Sequence, residues 1–181
     1  LARCLYSLFA ELERGQIEAR VVVVDNASYD NSPDMIHSQF PQVELIAQEN
    51  NLGFARGNNV GIRHLRFGAS DNRSPAACLL LNPDTEVQPG AVKTLLAVMH
   101  SQPDAAIVTS RLSYGSSAFQ HSAFHFPGLG QLYTDLFPVP ARFYESRLNG
   151  RYPHRQYEGG NPFEIDTPLG GVAQTWIASM P

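Results

Sequence analysis

The sequence predicts an α/β domain with a mainly parallel sheet and flanking helices, and three observations lead to this class. Short apolar runs recur along the first 110 residues, and helical spacing of apolar residues follows most of them. The runs do not alternate with polar residues, which is typical of parallel strands buried on both faces. The connections are short and rich in Asn, Asp, Gly and Pro. Such alternation of strand and helix predicts a parallel sheet.

The elements follow one another as a helix, then strand and helix three times, then a strand. The first helix places Leu1, Leu5 and Leu8 on one face, and Gly15 ends it. The second begins at Ser32-Pro33, a favourable helix start. The predicted helices cover residues 1–13, 33–40, 55–67 and 89–100. The predicted strands cover residues 21–24, 43–47, 77–81 and 105–109.

The regular pattern ends near Ser110. Residues 111–181 are rich in Gly, Pro, Tyr and Phe and show no long periodic segment and no repeat. Their aromatic content argues against plain disorder. We therefore predict an α/β half over residues 1–110 and a loop-rich region over residues 111–181 that packs over one edge of the sheet.

Composition excludes several classes of protein. The net charge of −4 argues against nucleic-acid binding, which needs clustered Lys and Arg. Cys4 and Cys78 are too few for a disulfide framework and lie in apolar segments, so we predict two reduced, buried thiols. No apolar run reaches 18 residues. We expect a cytoplasmic protein, with peripheral attachment to the inner face of the plasma membrane left open.

Polar side chains follow three successive predicted strands. The first cluster is Asp25 and Asn26, the second is Asn50, Asn51, Gly53 and Phe54, and the third is Asn82, Asp84, Thr85 and Glu86. In open parallel sheets, ligands bind outside the carboxyl ends of the strands. We therefore expect the three clusters to line one rim of the sheet.

The residue types in these clusters suit the parts of a nucleotide diphosphate. A carboxylate such as Asp25 can accept a hydrogen bond from the ring N–H of uracil or thymine. The helix that begins near Gly53 offers free N–H groups, and Arg56 adds a positive charge suited to phosphate. Asp84 offers a hard oxygen ligand for Mg²⁺ or Mn²⁺, ions held by one or two carboxylates plus phosphates.

Each signal has a plainer interpretation when taken alone. Asp25 could cap the next helix, and Gly53 and Gly57 could be ordinary turn and packing glycines. "NPDT" could be a simple turn. His121 and His125 have a spacing compatible with zinc on a helix face, but no third ligand is evident. The joint occurrence of three clusters at three strand ends favours the ligand site.

Three stretches in this order, "VVVVDNASYDNS", "NNLGFARGNNVGI" and "LLLNPDTEVQPGAV", make the sequence resemble the family 2 inverting glycosyltransferases of the GT-A fold. The branch resembled is the bacterial rhamnosyltransferase-like group that builds polysaccharides. The resemblance covers about residues 1–110, and a weaker one extends into the tail.

The resemblance implies roles for individual residues. Asp25 would contact the donor base, and Asn82 stands where the family has the first carboxylate of its Asp-x-Asp motif. The implied nucleotide-binding residues are Asp25, Asn26, Asn51, Gly53, Phe54, Arg56, Asn58 and Asn82, and the implied metal ligand is Asp84. The family's first strand would precede Leu1 and its acidic catalytic base would follow the chain end, so no catalytic residue is assigned and we expect a fragment without transfer activity.

The expected function is transfer of a sugar, with inversion, from a dTDP- or UDP-sugar to a cell-surface polysaccharide or glycolipid acceptor. Two alternatives stay open at this point. One is a non-catalytic or degenerate module that binds nucleotide sugars. The other is a sugar nucleotidyltransferase, although the "NLGFARGNN" loop favours sugar transfer.

Overall fold

The computed structural model describes residues 1–70, 74–126, 128–138, 140–143 and 145–166, and the backbone of residues 176–179. These residues form two compact units. The first comprises Leu1–Val108 together with the strand at Trp176–Ser179, and the second comprises the described residues from Thr109 to Asp166. The tail segment "IDTPLGG", which carries part of the weaker resemblance, lies largely outside the described residues.

Helices and strands alternate through the first unit. In the described part of the chain, the helices are α1 (Ala2–Gly15), α2 (Ser32–Gln39), α3 (Phe54–His64), α4 (Ala91–Ser101), α5 (Leu129–Leu136) and α6 (His154–Glu158). The strands are β1 (Val22–Asp25), β2 (Glu44–Ala47), β3 (Ala77–Leu80), β4 (Ile107–Val108), β5 (Leu112–Ser113), β6 (Phe119–Gln120) and β7 (Trp176–Ser179). Each helix and strand predicted before residue 110 is present, with ends that differ by a few residues, and the α/β class is confirmed.

The strands of the first unit form two sheets. Strands β1 and β2 are parallel, with Val22 opposite Glu44 and Asp25 opposite Ala47. Strand β7 lies between β3 and β4 and is antiparallel to both. The arrangement therefore differs from a single mainly parallel sheet, because a strand from far along the chain occupies the position between β3 and β4.

Two clusters of apolar side chains form the core of the first unit. In one, Leu5 of α1 packs with Ile36 and Phe40 of the α2 region and with Val43. In the other, Leu95 and Met99 of α4 pack against side chains of β3 and β4. These are residues that helical spacing placed on the inward faces, so that prediction is confirmed. The predicted burial of both free cysteines is also confirmed.

Helix α3 packs closely on β1 because its inward residues are glycines. A Cβ atom at Gly61 would lie 3.3 Å from Val24 Cγ2, and one at Gly57 would lie 3.7 Å from Asn26 Nδ2. The packing interpretation of Gly57 is therefore correct. This close approach places the beginning of α3 beside the residues that follow β1.

The second unit contains short elements. Strands β5 and β6 form an antiparallel hairpin, and helix α5 is followed by a 3₁₀ helix at Ala141–Phe143 and by α6. None of the helices within the described ranges is long and apolar enough to cross a membrane.

His121 and His125 do not lie on a helix, so the idea that they share a helix face was wrong. Both residues lie in the non-helical segment that comes directly after β6, and their rings contact different carboxylates. His121 Nε2 lies 3.7 Å from Glu145 Oε1, and His125 Nδ1 lies 3.0 Å from Asp166 Oδ2. The His125 ring lowers the pKa of the Asp166 carboxyl, because a hydrogen bond and a positive charge favour the carboxylate.

Candidate functional site

Asp25 ends β1 and is 9% exposed. The turn after it uses a left-handed backbone at Ala27 (φ 63°), and Ser28 N donates to Asp25 Oδ2 at 3.2 Å. One carboxylate oxygen therefore holds the turn. Asp25 does not cap the next helix, because the N-cap residue of α2 is Asn31 and no side chain caps that helix. Within the described part of the chain, Oδ1 has no hydrogen-bond donor, so Asp25 keeps one oxygen that can accept from a ligand.

Two asparagine side chains join the ends of β1 and β2. Asn26 Oδ1 accepts from Leu52 N at 2.8 Å, and Asn26 Nδ2 donates to Asn51 Oδ1 at 2.9 Å. Asn51 Oδ1 also accepts from Gly53 N at 2.8 Å. The amide of Asn26 is thus engaged with the loop, and the loop holds the beginning of α3 beside Asp25. A nucleotide-binding role for Asn26 and Asn51 stays a prediction.

Gly53 is the N-cap residue of α3, with φ 77° and ψ 169°. Only glycine adopts this combination without strain. The first hydrogen bond of the helix runs from Gly57 N to Gly53 O at 3.0 Å, and no side chain caps the helix. The N–H groups of residues 54–56 therefore have no partner within the helix and can face an anion.

The remaining predicted residues of this helix lie on its first turns. Phe54 and Arg56 are exposed, and Asn58 is half-buried. An exposed guanidinium beside uncapped N–H groups makes this the positive end of α3. The arrangement suits a phosphate group, and the individual roles of the three side chains stay predictions.

Asn82 and Asp84 lie in a turn after β3. Asn82 O accepts from Thr85 Oγ1 at 2.7 Å and from Thr85 N at 3.3 Å. Asp84 is exposed and has no ion pair or hydrogen bond among the described residues, whereas Glu86 pairs with Arg3. Asp84 is therefore the carboxylate of this loop that is available to a ligand.

The donor set at Asp84 fits a magnesium-like ion that shares its coordination with substrate phosphates. One exposed carboxylate without a competing cation is enough for such an ion. Within the described ranges, no group of three or more His, Cys, Asp and Glu side chains is placed so that it could hold a metal ion. The described residues therefore do not provide a structural zinc site.

One face of α1 holds the loop that carries Asp84. The sequence did not predict this contact between the helix and the loop. Cys4 Sγ donates to Asn82 O at 3.5 Å, and Ser7 Oγ accepts from Val87 N at 2.9 Å. Glu11 Oε2 accepts from Gly90 N at 2.8 Å. The spacing of these three residues follows one face of the helix. Their polarity next to the leucines was the available signal, but the partner lies about 80 residues away.

Glu11 is the most unusual residue of this face because it is a carboxylate that is 1% exposed. Oε2 also lies 3.3 Å from Arg14 Nη1, and Oε1 is buried without a described partner. Substitution Glu11→Ala leaves the Gly90 N–H unpaired, so we expect the free energy of unfolding to fall by about 1–3 kcal/mol. Urea denaturation measures this change.

Two further variants make the Glu11 prediction specific. Glu11→Gln keeps an acceptor oxygen and should lose less stability than Glu11→Ala. Glu13→Ala, at an exposed position of the same helix, should stay within about 0.5 kcal/mol of the unsubstituted chain. Equal losses for Glu11→Ala and Glu13→Ala would contradict the role given to Glu11.

Burial raises the pKa of the thiols of Cys4 and Cys78. Both thiols are therefore protonated at neutral pH, which makes them poor nucleophiles. For Cys4, the thiol serves as a donor to the loop rather than as a reactive group.

The predicted site residues fall into two groups in the structure. Asp25, Asn26, Asn51 and Gly53 lie together at the carboxyl end of the parallel pair β1–β2. Asn82 and Asp84 follow β3, which belongs to the antiparallel sheet, and α1 holds their loop. The expected single rim is therefore divided between two sheets.

Comparison with known proteins gives one family and one kind of relative. The model of the family "Glycosyl transferase family 2" matches residues 1–168. Two curated relatives are N-acetylglucosaminyl-diphospho-decaprenol L-rhamnosyltransferases of Mycobacterium tuberculosis, from strains CDC 1551 / Oshkosh and ATCC 25618 / H37Rv. Each is 29% identical over 132 residues, which cover 71% of this chain and 42% of the relative. No solved structure matches the chain significantly.

Proposed function

Because the chain belongs to glycosyl transferase family 2, we propose that it carries the donor half of a sugar transfer from a nucleotide-diphosphate sugar. The observation that supports this best is the network at the end of β1–β2. There, Asp25 keeps a free carboxylate oxygen beside the uncapped beginning of α3. A hydrogen-bond acceptor for a base and N–H donors for a phosphate, held in one place, suit a nucleotide.

We assign the donor contacts as follows. Asp25 Oδ1 accepts the ring N–H of uracil or thymine, so the donor is a UDP- or dTDP-sugar. The N–H groups at the beginning of α3 and the Arg56 guanidinium bind the diphosphate, whose negative charge grows as the bond to the sugar breaks. Phe54, Asn58 and Asn82 complete the nucleotide site. Asn26 and Asn51 hold the loop in position.

Asp84 is the residue that would hold Mg²⁺ or Mn²⁺. When bound, such an ion offsets the negative charge of the departing nucleotide diphosphate. Asn82 adds no charge at the place where the family has the first carboxylate of its Asp-x-Asp motif. Metal affinity therefore depends strongly on the bound diphosphate, and the free chain should bind the ion weakly.

The acceptor of the complete reaction is a saccharide or lipid-linked hydroxyl, and the described residues of the second unit belong to the acceptor side. The names of the relatives specify a lipid-linked sugar, and the match to this chain spans 42% of their length. The hydroxyl attacks the anomeric carbon opposite the leaving group, so one displacement inverts the configuration. No residue of this chain is assigned as the base.

A non-catalytic nucleotide-sugar-binding module is the second candidate. The observation that favours it is Asn82, which removes one carboxylate from the metal loop. Both candidates predict nucleotide binding, and an assay of sugar transfer separates them. The cytoplasmic location predicted from sequence stays a prediction in either case.

Calorimetric titration with UDP and with dTDP, each with and without Mn²⁺, tests the proposal. We expect one of the two nucleotides to bind, and Mn²⁺ to increase the affinity. ATP serves as the control, because its base lacks the imide N–H that Asp25 would recognise. If neither pyrimidine nucleotide binds or raises the melting temperature, the donor-site proposal is wrong.

A further inference from the structure

Helix α1 contacts the elements that carry both groups of predicted site residues. On one side, Cys4, Ser7 and Glu11, here named the α1 polar face, bond to the loop after β3. Leu5 and Phe9 lie roughly 150° around the helix from the centre of that face. The helix therefore connects the two parts into which the expected rim is divided.

The apolar side of α1 packs on the region of β1 and β2. Leu5 packs in one core cluster with Phe40, the residue that follows α2. Val23 of β1 and Leu45 of β2 pack against the same cluster. The rings of Phe9 and Phe40 are stacked, with centroids 6.1 Å apart. These contacts fix α1 relative to the two strands whose carboxyl ends carry the predicted nucleotide-binding residues.

The α1 polar face holds the loop after β3 at three points. The bonded groups, in the same order along both segments, are Cys4 Sγ with Asn82 O, Ser7 Oγ with Val87 N and Glu11 Oε2 with Gly90 N. The loop therefore follows α1 in the same direction, and Asp84 lies between the first and second contacts. Because the Asp84 side chain has no partner among the described residues, its position depends on the backbone that α1 holds.

The Ser7 hydroxyl uses both its donor and its acceptor capacity at this contact. It donates to Cys4 O at 2.9 Å and accepts from Val87 N at 2.9 Å. The first bond directs the hydroxyl hydrogen into the helix, so that a lone pair is free for the loop. Val87 comes three residues after Asp84. Loss of this acceptor would therefore release the loop beside Asp84 without changing a residue that would contact nucleotide or ion.

We propose that α1 is a positioning element for the metal ion, and that Ser7 is its positioning residue. Through Ser7, the helix holds Asp84 where one ion can bind both this carboxylate and the diphosphate at the beginning of α3. This inference rests on the proposed function, because it needs a nucleotide at α3 and an ion at Asp84. It adds that α1 determines how strongly the ion and the nucleotide increase each other's affinity, an effect that is reciprocal.

Calorimetric titration of Ser7→Ala with UDP and with dTDP, each with and without Mn²⁺, tests the proposal. The measured quantity is the ratio of the nucleotide affinities with and without Mn²⁺. Loss of a group that orients a metal ligand lowers metal affinity by about 10-fold to 100-fold, so we expect this ratio to fall toward one by about tenfold. Nucleotide affinity without Mn²⁺ should change by less than about twofold, because Ser7 does not contact the nucleotide site.

Ser38→Ala is the matched control. Ser38 Oγ donates to carbonyl groups of α2, as Ser7 Oγ does in α1, but no described N–H group donates to it. The control should leave the ratio within about twofold of its value in the unsubstituted chain. Ser7→Thr keeps the hydroxyl and should retain the ratio.

Urea denaturation and far-UV circular dichroism verify that each variant is folded. If Ser7→Ala does not fold, Cys4→Ala takes its place. It removes a donor to Asn82 O but leaves the two bonds from Thr85, and it should lower the ratio in the same direction.

The outcomes distinguish this inference from the proposed function. An unchanged ratio in Ser7→Ala, or equal losses of nucleotide affinity with and without Mn²⁺, would contradict the positioning role and leave the donor site intact. Nucleotide binding without any Mn²⁺ effect in the unsubstituted chain would overturn both the inference and the metal role of Asp84. If the unsubstituted chain binds neither nucleotide, the donor-site proposal is wrong and the inference fails with it.

Discussion

Substitution Asp84→Ala is expected to abolish the effect of Mn²⁺ on nucleotide binding. Asp84 is the exposed carboxylate of its loop and has no cation partner among the described residues. Loss of even an outer partner of a metal site reduces metal affinity by about 10-fold to 100-fold. Loss of this single ligand should reach the upper end of that range. Calorimetric titration of Mn²⁺ in the presence of saturating nucleotide measures the change.

The neighbouring carboxylate provides the control for Asp84. Glu86 lies two residues further on and is paired with Arg3, so Glu86→Ala should keep the Mn²⁺ effect. Asp84→Asn tests charge at nearly constant shape and should behave like Asp84→Ala. Melting temperatures of all three variants should stay close to that of the unsubstituted chain, because Asp84 is exposed. An intact Mn²⁺ effect in Asp84→Ala would show that the ion binds elsewhere.

Substitution Asn26→Ala is expected to lower both stability and nucleotide affinity. The Asn26 side chain accepts from Leu52 N and donates to Asn51 Oδ1, so the substitution leaves Leu52 N without its partner and removes one of the two donors to Asn51 Oδ1. We expect a loss of about 2 kcal/mol in the free energy of unfolding. Because the loop positions the beginning of α3, nucleotide affinity should fall by about tenfold or more. Urea denaturation and calorimetry measure the two effects.

Asn50→Ala is the matched control because Asn50 lies in the same loop, is exposed and has no described side-chain hydrogen bond. It should change neither property appreciably. A double-mutant cycle between Asn26 and Asn51 should give a coupling energy within about 0.5–3 kcal/mol, as for residues in one hydrogen-bond network. If Asn26→Ala reduces nucleotide affinity and leaves stability unchanged, Asn26 contacts the ligand directly and the positioning role is incorrect.

Much of the first unit was predictable because its signals are local. Helical spacing identified the inward helix faces, and their residues Leu5, Ile36 and Phe40 pack together in the core. The valine run identified β1. The polar residues directly after β1 and β2 pointed to the cluster that the structure joins by hydrogen bonds. In each case the pattern spans a few residues, and the backbone geometry of one helix or strand determines which side chains share a face.

The contacts that involve distant parts of the chain were not predictable in this way. The roles of Cys4, Ser7 and Glu11 arise because α1 passes the loop after β3, and their partners lie about 80 residues away. A buried glutamate is indistinguishable from an exposed one in a helical pattern that is otherwise amphipathic. Only the packing of α1 on that loop decides that Glu11 is inside.

By itself, the sequence determined the alternation of helices and strands, the inward faces of the helices and the family to which the chain belongs. Only the tertiary structure decided that β7 separates β3 from β4, that α1 holds the loop of Asp84, and that α5 turns its leucines outward. The physical reason is the same in all three cases. Local preferences depend on neighbouring residues, whereas strand partners and burial depend on which distant surfaces meet and exclude water.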